Sequence, residues 1–415
     1  MKGYAVRDEM NGITEPAGKT WFWELAAAVV DTDRCVQCGT CVAVCPSNSL
    51  GVNLLTNLPE LVKMCTGCSL CWDFCPRAGL RYEATWPRPE GAPADPPGTE
   101  SDDDWKLTGS PASAGLGVVE EMWAVRTTLE VGGRQDGGAV TAILEALLES
   151  DAIDGAIVSK PSSDPAEPWK GIATVATTTE ELRAAAGSFY NQTMALAALD
   201  VAGADLPDRP RLAVVGTPCE VQGLSAMQQA RWDTGAHDAG AAILSIALMC
   251  TKSFDYEGLM LRELRDKRGI ELGDVRRLDV TRGRLVVELH DGTVAVDEPI
   301  KHFHGAALKG CDECADFLGR SADLSVGSVG SADGWTSVLV RTPAGRAALD
   351  AARHLLDIEP LDDVGALLRL DSLNKKVASK ALKRQFDPDG PLFIDFTQHL
   401  ATYGPTDRAP VVLRR

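Results

Sequence analysis

The chain has 415 residues, a formal net charge of −18 and 45% hydrophobic residues. That length exceeds what one hydrophobic core supports, so more than one domain is expected; the acidity excludes nucleic acid as a partner, since no basic run outweighs it. The longest apolar stretch, 241–249, is about half of what a membrane-spanning helix needs, and the apolar run 21–30 is broken by Glu24 and lacks the order of a secretory signal, so a cytoplasmic protein is expected.

The first unit, residues 1–82, is dominated by cysteine. Cys35-Val-Gln-Cys38-Gly-Thr-Cys41-Val-Ala-Val-Cys45-Pro46 and Cys65-Thr-Gly-Cys68-Ser-Leu-Cys71-Trp-Asp-Phe-Cys75-Pro76 both fit C-x2-C-x2-C-x3-C-P. In that bacterial ferredoxin pattern three thiolates of one run surround a cube, and the fourth ligates the cube of the other run. One 4Fe–4S cluster is therefore expected on Cys35, Cys38, Cys41 and Cys75, and a second on Cys65, Cys68, Cys71 and Cys45. A zinc module needs only four ligands and does not explain two interleaved sets followed by proline. Between the runs lies little more than a strand-like 50–55, so the clusters would supply much of the folding energy of this small unit.

Residues 83–117 are rich in Pro, Gly and acids and read as a linker. Strand-like and helix-like segments then alternate over 118–345: strand 122–129, helix 138–149, strand 153–159, helix 179–186, strand 211–216, a helix from about Glu220, and strand 242–249. This alternation implies α/β layering. Beyond it, 285–290 and 293–297 flank Asp291-Gly292, a hairpin signal for a type I′ turn. Strands are expected at 324–329 and 337–340, and a helix from Pro343 through Leu356 with Thr342 as its cap. The last unit, 346–415, holds that helix and a tail with Lys375, Lys376, Lys380, Lys383 and Arg384, expected to be a solvated helix face.

Three further constellations carry chemistry. Gly132-Gly133-Arg134-Gln135-Asp136-Gly137-Gly138 joins a strand to a helix, where free backbone N–H groups suit a phosphate; it matches no Walker loop or dinucleotide fingerprint, and such a glycine turn alone is more often only a turn. Gly216-Thr217-Pro218-Cys219-Glu220 puts a thiol beside backbone donors, as a nucleophile, a buried small residue or a ligand. Lys309-Gly310-Cys311-Asp312-Glu313-Cys314 offers another C-x2-C, and with Cys219 and Cys250 it accounts for the last of the twelve cysteines. His302 and His304 are expected to be structural or to touch substrate.

Gln135-Asp136-Gly137-Gly138-Ala-Val-Thr141, Gly187-Ser188-Phe189-Tyr190, Gly216-Thr217-Pro218-Cys219-Glu-Val-Gln222-Gly223-Leu224, the Met249-Cys250 strand end, and Cys311–Cys314 leading to Asp323-Leu-Ser-Val-Gly327 occur in this order. Over roughly 115–345 the chain thereby resembles the family of coenzyme F420 hydrogenase/dehydrogenase beta subunits, and with the two-cluster module in front it is most similar to the electron-input subunit of F420 dehydrogenases. The resemblance implies a mixed α/β (α+β) flavin-binding core behind a dicluster ferredoxin-like module. It implies FAD held by Gln135, Asp136, Gly137, Gly138 and Thr141 at the pyrophosphate, and by Ser188, Tyr190, Asn191, Gly216 and Thr217 around the flavin. Phe189 stands where a basic residue is expected. It further implies a third 4Fe–4S cluster on Cys219, Cys250, Cys311 and Cys314.

The implied activity is that of an oxidoreductase: hydride from reduced coenzyme F420 to FAD, then single electrons through three clusters, because a flavin converts between two-electron and one-electron carriers. The acceptor would be a ferredoxin or a complex I-like membrane complex, which would hold the protein peripherally at the inner face of the membrane. Arg126, Arg134, Lys160, Lys252 and Lys309 are candidates to meet the acidic F420 tail. The same fold could instead reduce a tetrapyrrole-type substrate, or serve as a plain electron carrier.

Overall fold

The computed structural model describes residues 21–78, 116–200, 206–229 and 237–381. The linker 83–115 and the tail residues Lys383 and Arg384 lie outside them. The ferredoxin-like unit opens with the helical segments Phe22–Leu25 and Ala26–Val30, which bury Phe22, Leu25 and Val29 against Trp72 and the cysteine loops. Each cysteine run carries one helical turn, Thr40–Ala43 and Leu70–Asp73, preceded by a residue in the left-handed region, Gly39 at φ 79° and Ser69 at φ 70°. A short hairpin, β1 (Leu50–Asn53) with β2 (Leu58–Leu61), separates the runs.

The core is built on an eight-stranded mixed sheet. Its centre is parallel: β4 (Gly155–Pro161), β6 (Leu212–Gly216), β7 (Ala242–Leu248) and β11 (Leu324–Gly327). These segments are nearly continuous apolar runs, as strands covered on both faces require. Antiparallel strands finish both sides: β5 (Gly171–Ala176) on β4, and β12 (Thr336–Val340), β3 (Glu121–Thr127) and β13 (Leu356–Pro360) beyond β11. The strand order is β13-β3-β12-β11-β7-β6-β4-β5. Helices α1 (Ala139–Glu149) and α4 (Pro343–Ala351) pack on one face, with Ile143, Leu147 and Leu349 in the same apolar cluster. Helix α3 (Pro218–Gln229) covers the other face through Leu224 and Met227. Helix α2 (Thr179–Ala184) is closed by a capping box in which Thr178 accepts from Glu181 N at 3.2 Å.

A separate three-stranded sheet, β8 (Val275–Thr281), β9 (Arg284–Leu289) and β10 (Val294–Pro299), stands beside the helical segment Glu257–Asp266. Its turns correct the expected one. At Asp291-Gly292 only Gly292 takes positive φ, and Gly292 N donates to Leu289 O at 3.0 Å, which is a longer turn ending in a left-handed glycine and not type I′. Type I′ geometry occurs instead at Arg282 (φ 49°) and Gly283 (φ 74°), between β8 and β9.

The C-terminal helix expected through Leu356 stops at Ala351, because 356–360 form β13 along the otherwise free edge of β3. Thr342 does cap α4, accepting from Gly345 N at 3.2 Å. The basic stretch lies on helix α5 (Val364–Ala381) but is not a uniformly solvated face. Lys375 is fully buried and pairs with Asp371 at 2.9 Å, and Asp371 meets Arg320 at 2.7 Å. A buried ammonium needs such a partner.

The cysteine unit shares its core with the sheet. Ala43, Val44 and Phe74 belong to one apolar cluster with Leu196, Leu212, Val214 and Leu224. Arg34 grips Glu313 through two hydrogen bonds of 2.6 and 3.0 Å, and Arg77 Nε donates to Gly310 O at 2.8 Å. At Gly223 and Gly310 a Cβ atom would collide with Thr40 and with the Arg34 carbonyl, so glycine is what permits this approach.

Candidate functional site: thiol groups and the adjoining cleft

The thiols of the two runs interleave. Cys35 lies within electrostatic reach of Cys38 and Cys75, and Cys68 within reach of Cys45 and Cys65. The fourth cysteine of each run thus sits with the other run's triplet. Backbone amides point at the sulfurs: Gln37 N to Cys35 at 3.4 Å, Ser49 N to Cys45 at 3.2 Å, Gly67 N to Cys65 at 3.4 Å and Arg77 N to Cys75 at 3.4 Å. Such donors accommodate the negative charge of a thiolate-bound cluster. Burial pushes the Cys35 thiol up to about 12 and Cys38 to about 11, so metal binding must displace protons here. No described cysteine is in a disulfide, and among the described residues no three His, Cys, Asp or Glu groups converge closely enough for a single ion. Soft donors in two interleaved quartets fit cubes better than a lone metal.

The remaining four cysteines gather at the carboxyl ends of the parallel strands, where open α/β sheets bind their ligands. Cys219 is in the first turn of α3 after β6, Cys250 follows β7, and Cys311 and Cys314 flank the end of the turn Lys309–Glu313. Cys250 reaches both Cys311 and Cys314; Cys219 reaches Cys314 and, across the boundary, Cys38. Cys38, Cys219 and Cys311 share one small apolar cluster with Val36 and Leu308. Burial raises the thiols of Cys219 and Cys250, and that of Cys311 to about 11.

Beside this group is a narrow cleft lined by Trp169, Ser188, Phe189, Tyr190, Asn191 and Phe254, with Tyr256, Met260 and Leu278. Three expected flavin neighbours, Ser188, Tyr190 and Asn191, therefore line one wall. Asn191 also acts as a strand substitute, accepting from Gly171 N at 2.8 Å and donating to Gly171 O at 2.9 Å. Gly216 and Thr217 do not line the cleft; they sit beside Cys219, with Thr217 Oγ1 3.1 Å from its sulfur.

The glycine turn reaches the cleft through Leu278, whose carbonyl accepts from Gln135 Nε2 at 3.4 Å, and through the field of Asp136 at Tyr190. Gly137 packs so closely on β3 and β12 that a Cβ would strike Val125 O and Thr336 N, and Gly138 (φ 70°) starts α1, where Thr141 is buried. Packing therefore explains part of this motif. Asp136 faces Asp279, and burial, aided by that neighbour, raises its carboxyl to about 6.

The proposed cations are dispersed. Arg126 pairs with Asp357 at 2.8 Å and lies over the Trp335 ring, Lys252 pairs with Asp312, Arg134 bonds the Thr127 carbonyl, and Lys160 and Lys309 are exposed. His302 bonds Glu298 at 3.1 Å. Sequence reasoning missed Gln192, Glu220 and Ser253, which join the cleft wall to the third thiol group; the signal for them was Asn191-Gln192 following Gly187-Ser188-Phe189-Tyr190.

A mixed α/β sheet with a cysteine-rich ferredoxin-like unit set against its carboxyl edge defines an iron–sulfur protein of the electron-transfer class. The 4Fe–4S dicluster domain matches residues 27–76, and the coenzyme F420 hydrogenase/dehydrogenase beta subunit matches as its N-terminal part over 122–200 and its C-terminal part over 210–364. The beta subunit of coenzyme F420 hydrogenase from Methanothermobacter thermautotrophicus is 32% identical, across 64% of this chain and 94% of that protein. A subunit of the F(420)H(2) dehydrogenase of Methanosarcina mazei is 26% identical across 83% of this chain and 91% of that protein. The coenzyme F420-dependent sulfite reductase of Methanocaldococcus jannaschii is 29% identical over 88% of this chain, which spans only 53% of that longer protein. A chain in the F420-reducing [NiFe] hydrogenase complex of Methanosarcina barkeri superposes with a TM-score of 0.58 at 29% identity, covering 65% of this chain and 92% of that one. The chain belongs to the family of coenzyme F420 hydrogenase/dehydrogenase beta subunits.

Proposed function

We propose that the protein oxidises reduced coenzyme F420 by hydride transfer to FAD and passes single electrons through three 4Fe–4S clusters to a partner. The observation that carries this reading is the sharing of one apolar cluster by Cys38 and Cys219, next to a cleft whose wall runs directly into the third thiol group. FAD, when bound, supplies the conversion between a two-electron donor and one-electron acceptors.

The chain's own residues do the rest. Cys219, Cys250, Cys311 and Cys314 would hold the centre nearest the cleft, and Cys35, Cys38, Cys41 and Cys75 the next. Cys65, Cys68, Cys71 and Cys45 would hold the outermost. Cys68 is exposed, and Met64, Leu55 and Val62 expose apolar surface on the same unit, which suits an exit to a ferredoxin or a membrane-bound complex. Among the described residues no helix is long and apolar enough to cross a membrane, so attachment would come through that partner.

Trp169, Tyr190, Phe254 and Tyr256 make the cleft wall aromatic and limit water there. The backbone at Gly132, where an added Cβ would meet nothing within 4 Å, would be open to the pyrophosphate of FAD. Asp136 is unfavourable there for a pyrophosphate unless it is protonated.

Anaerobic stopped-flow mixing with reduced F420, and separately with NADH or NADPH, tests the reading. Flavin bleaching by F420, flavin near one and iron near twelve per chain are expected. Bleaching by a nicotinamide alone would overturn the substrate, and iron near eight without flavin would leave an electron carrier.

A further inference from the structure

We infer that Gln192 is a positioning residue that holds the Thr217 hydroxyl as a hydrogen-bond donor to the Cys219 sulfur, so that this pair sets the reduction potential of the third centre. The inference rests on the proposed cluster at Cys219, Cys250, Cys311 and Cys314, and assigns Thr217 to that cluster and not to the flavin.

Gln192 is 2% exposed and both ends of its amide are used. Its Nε2 donates to Thr217 Oγ1 at 2.7 Å, and its Oε1 accepts from Ser253 Oγ at 2.7 Å. Glu220 fixes which end is which. Its carboxylate accepts from Ala195 N at 2.8 Å and from Thr217 N at 2.7 Å, and it also faces the Gln192 side chain. A carboxylate can only accept, so it requires the NH₂ end of the amide on the Thr217 side.

The proton directions follow. Thr217 Oγ1 receives a hydrogen from Gln192 and so directs its own hydrogen elsewhere. Two acceptors lie at 3.1 Å, Cys219 Sγ and Glu220 Oε2. Glu220 Oε2 keeps a lone pair beside its bond from Thr217 N and shares this hydrogen, but a thiolate on a cluster gains negative charge on reduction and draws the donor toward sulfur in the reduced state. At the other end Ser253 spends its hydrogen on Gln192, and its oxygen stands 3.8 Å from Cys250 Sγ. The amide therefore favours donation at Cys219 over Cys250. Hydrogen bonds to the sulfurs are among the groups that set a cluster's potential, a donor favouring the reduced state.

The experiment is an anaerobic redox titration of the holoprotein followed by electron paramagnetic resonance, with iron counted for each variant. Wild type must show three centres; two would refute the underlying cluster assignment, independently of the inference. Thr217→Val should lower the potential of the third centre by about 59 mV, a tenfold change for a one-electron couple, and leave the dicluster potentials unchanged. Thr217→Ser should restore it. Gln192→Leu should shift it in the same direction, and the double variant no further than Thr217→Val, because Gln192 acts through Thr217. An unshifted Thr217→Val with full iron overturns the inference, as does loss of the third centre in that variant, which would make Thr217 a folding residue. Additive shifts in the double variant would remove the positioning role of Gln192.

Discussion

Arg34 is the side chain whose loss should be felt on both sides of the junction. It is 8% exposed and gives hydrogen bonds to Glu313 at 2.6 and 3.0 Å, to Ala28 O at 3.1 Å and to Arg77 O at 3.1 Å. Arg34→Met keeps the apolar stem and removes the guanidinium, leaving the Glu313 carboxylate buried without it, between Cys311 and Cys314. Breaking one partner of a buried pair costs about 3–5 kcal/mol. Burial here is nearly complete on both side chains, 10% and 9% exposed, so solvent screening offers little relief. Urea titration of the anaerobic holoprotein, followed through the visible absorption of its clusters, should show the midpoint falling accordingly, with iron lost first from the proposed third centre. Arg34→Met with Glu313→Gln should recover about half of the loss or more, since a neutral amide is far cheaper to bury than a charge. A single variant within about 0.5 kcal/mol of wild type, the range of an ordinary surface substitution, would refute the reasoning. So would a double variant that is worse than Arg34→Met.

Gly137→Ala should destabilise by about 3 kcal/mol or more, because its Cβ meets backbone on β3 and β12 that cannot yield; circular dichroism melts would register it. Asp136 has a carboxyl raised to about 6. Its folded-state affinity for a proton exceeds the unfolded one, so its contribution is favourable below about pH 4 and is lost as pH rises through 6. Asp136→Asn should therefore stabilise the neutral-pH protein by about 1 kcal/mol after discount for partial exposure, and flatten that part of the pH–stability curve. If the pyrophosphate lies there, FAD should also bind the variant more tightly in a fluorescence titration at pH 7, and wild type should bind FAD more tightly as pH falls toward 6. Cys219→Ala should reduce iron from near twelve to near eight per chain; unchanged iron would remove that cysteine from the third centre.

Much of the architecture was legible because it rests on short-range chemistry. The apolar segments 211–216 and 242–249 became adjacent parallel strands. What escaped was set by pairing across distance. The segment 356–360 looked like helix until β3 offered an edge, and Lys375 looked solvated until Asp371 and Arg320 surrounded it. Arg282-Gly283 outcompeted Asp291-Gly292 as the tight turn, because register across three strands decides turn length. At the site, glycines expected to face a phosphate proved partly to be packing devices, as at Gly137. Thr217 lay with a sulfur and not with the cleft, a distinction that no linear spacing encodes.

The apolar cluster that joins Ala43, Val44 and Phe74 to Leu196, Leu212 and Leu224 bears on how the protein is manufactured. Those three residues lie on the cysteine loops, whose shape depends on iron and sulfide being delivered. A newly made chain short of clusters would thus expose the underside of its main sheet, and would present chaperones and proteases with greasy surface instead of a dormant enzyme. Iron supply would then govern how much of the protein persists in the cell, beyond governing how much of it works.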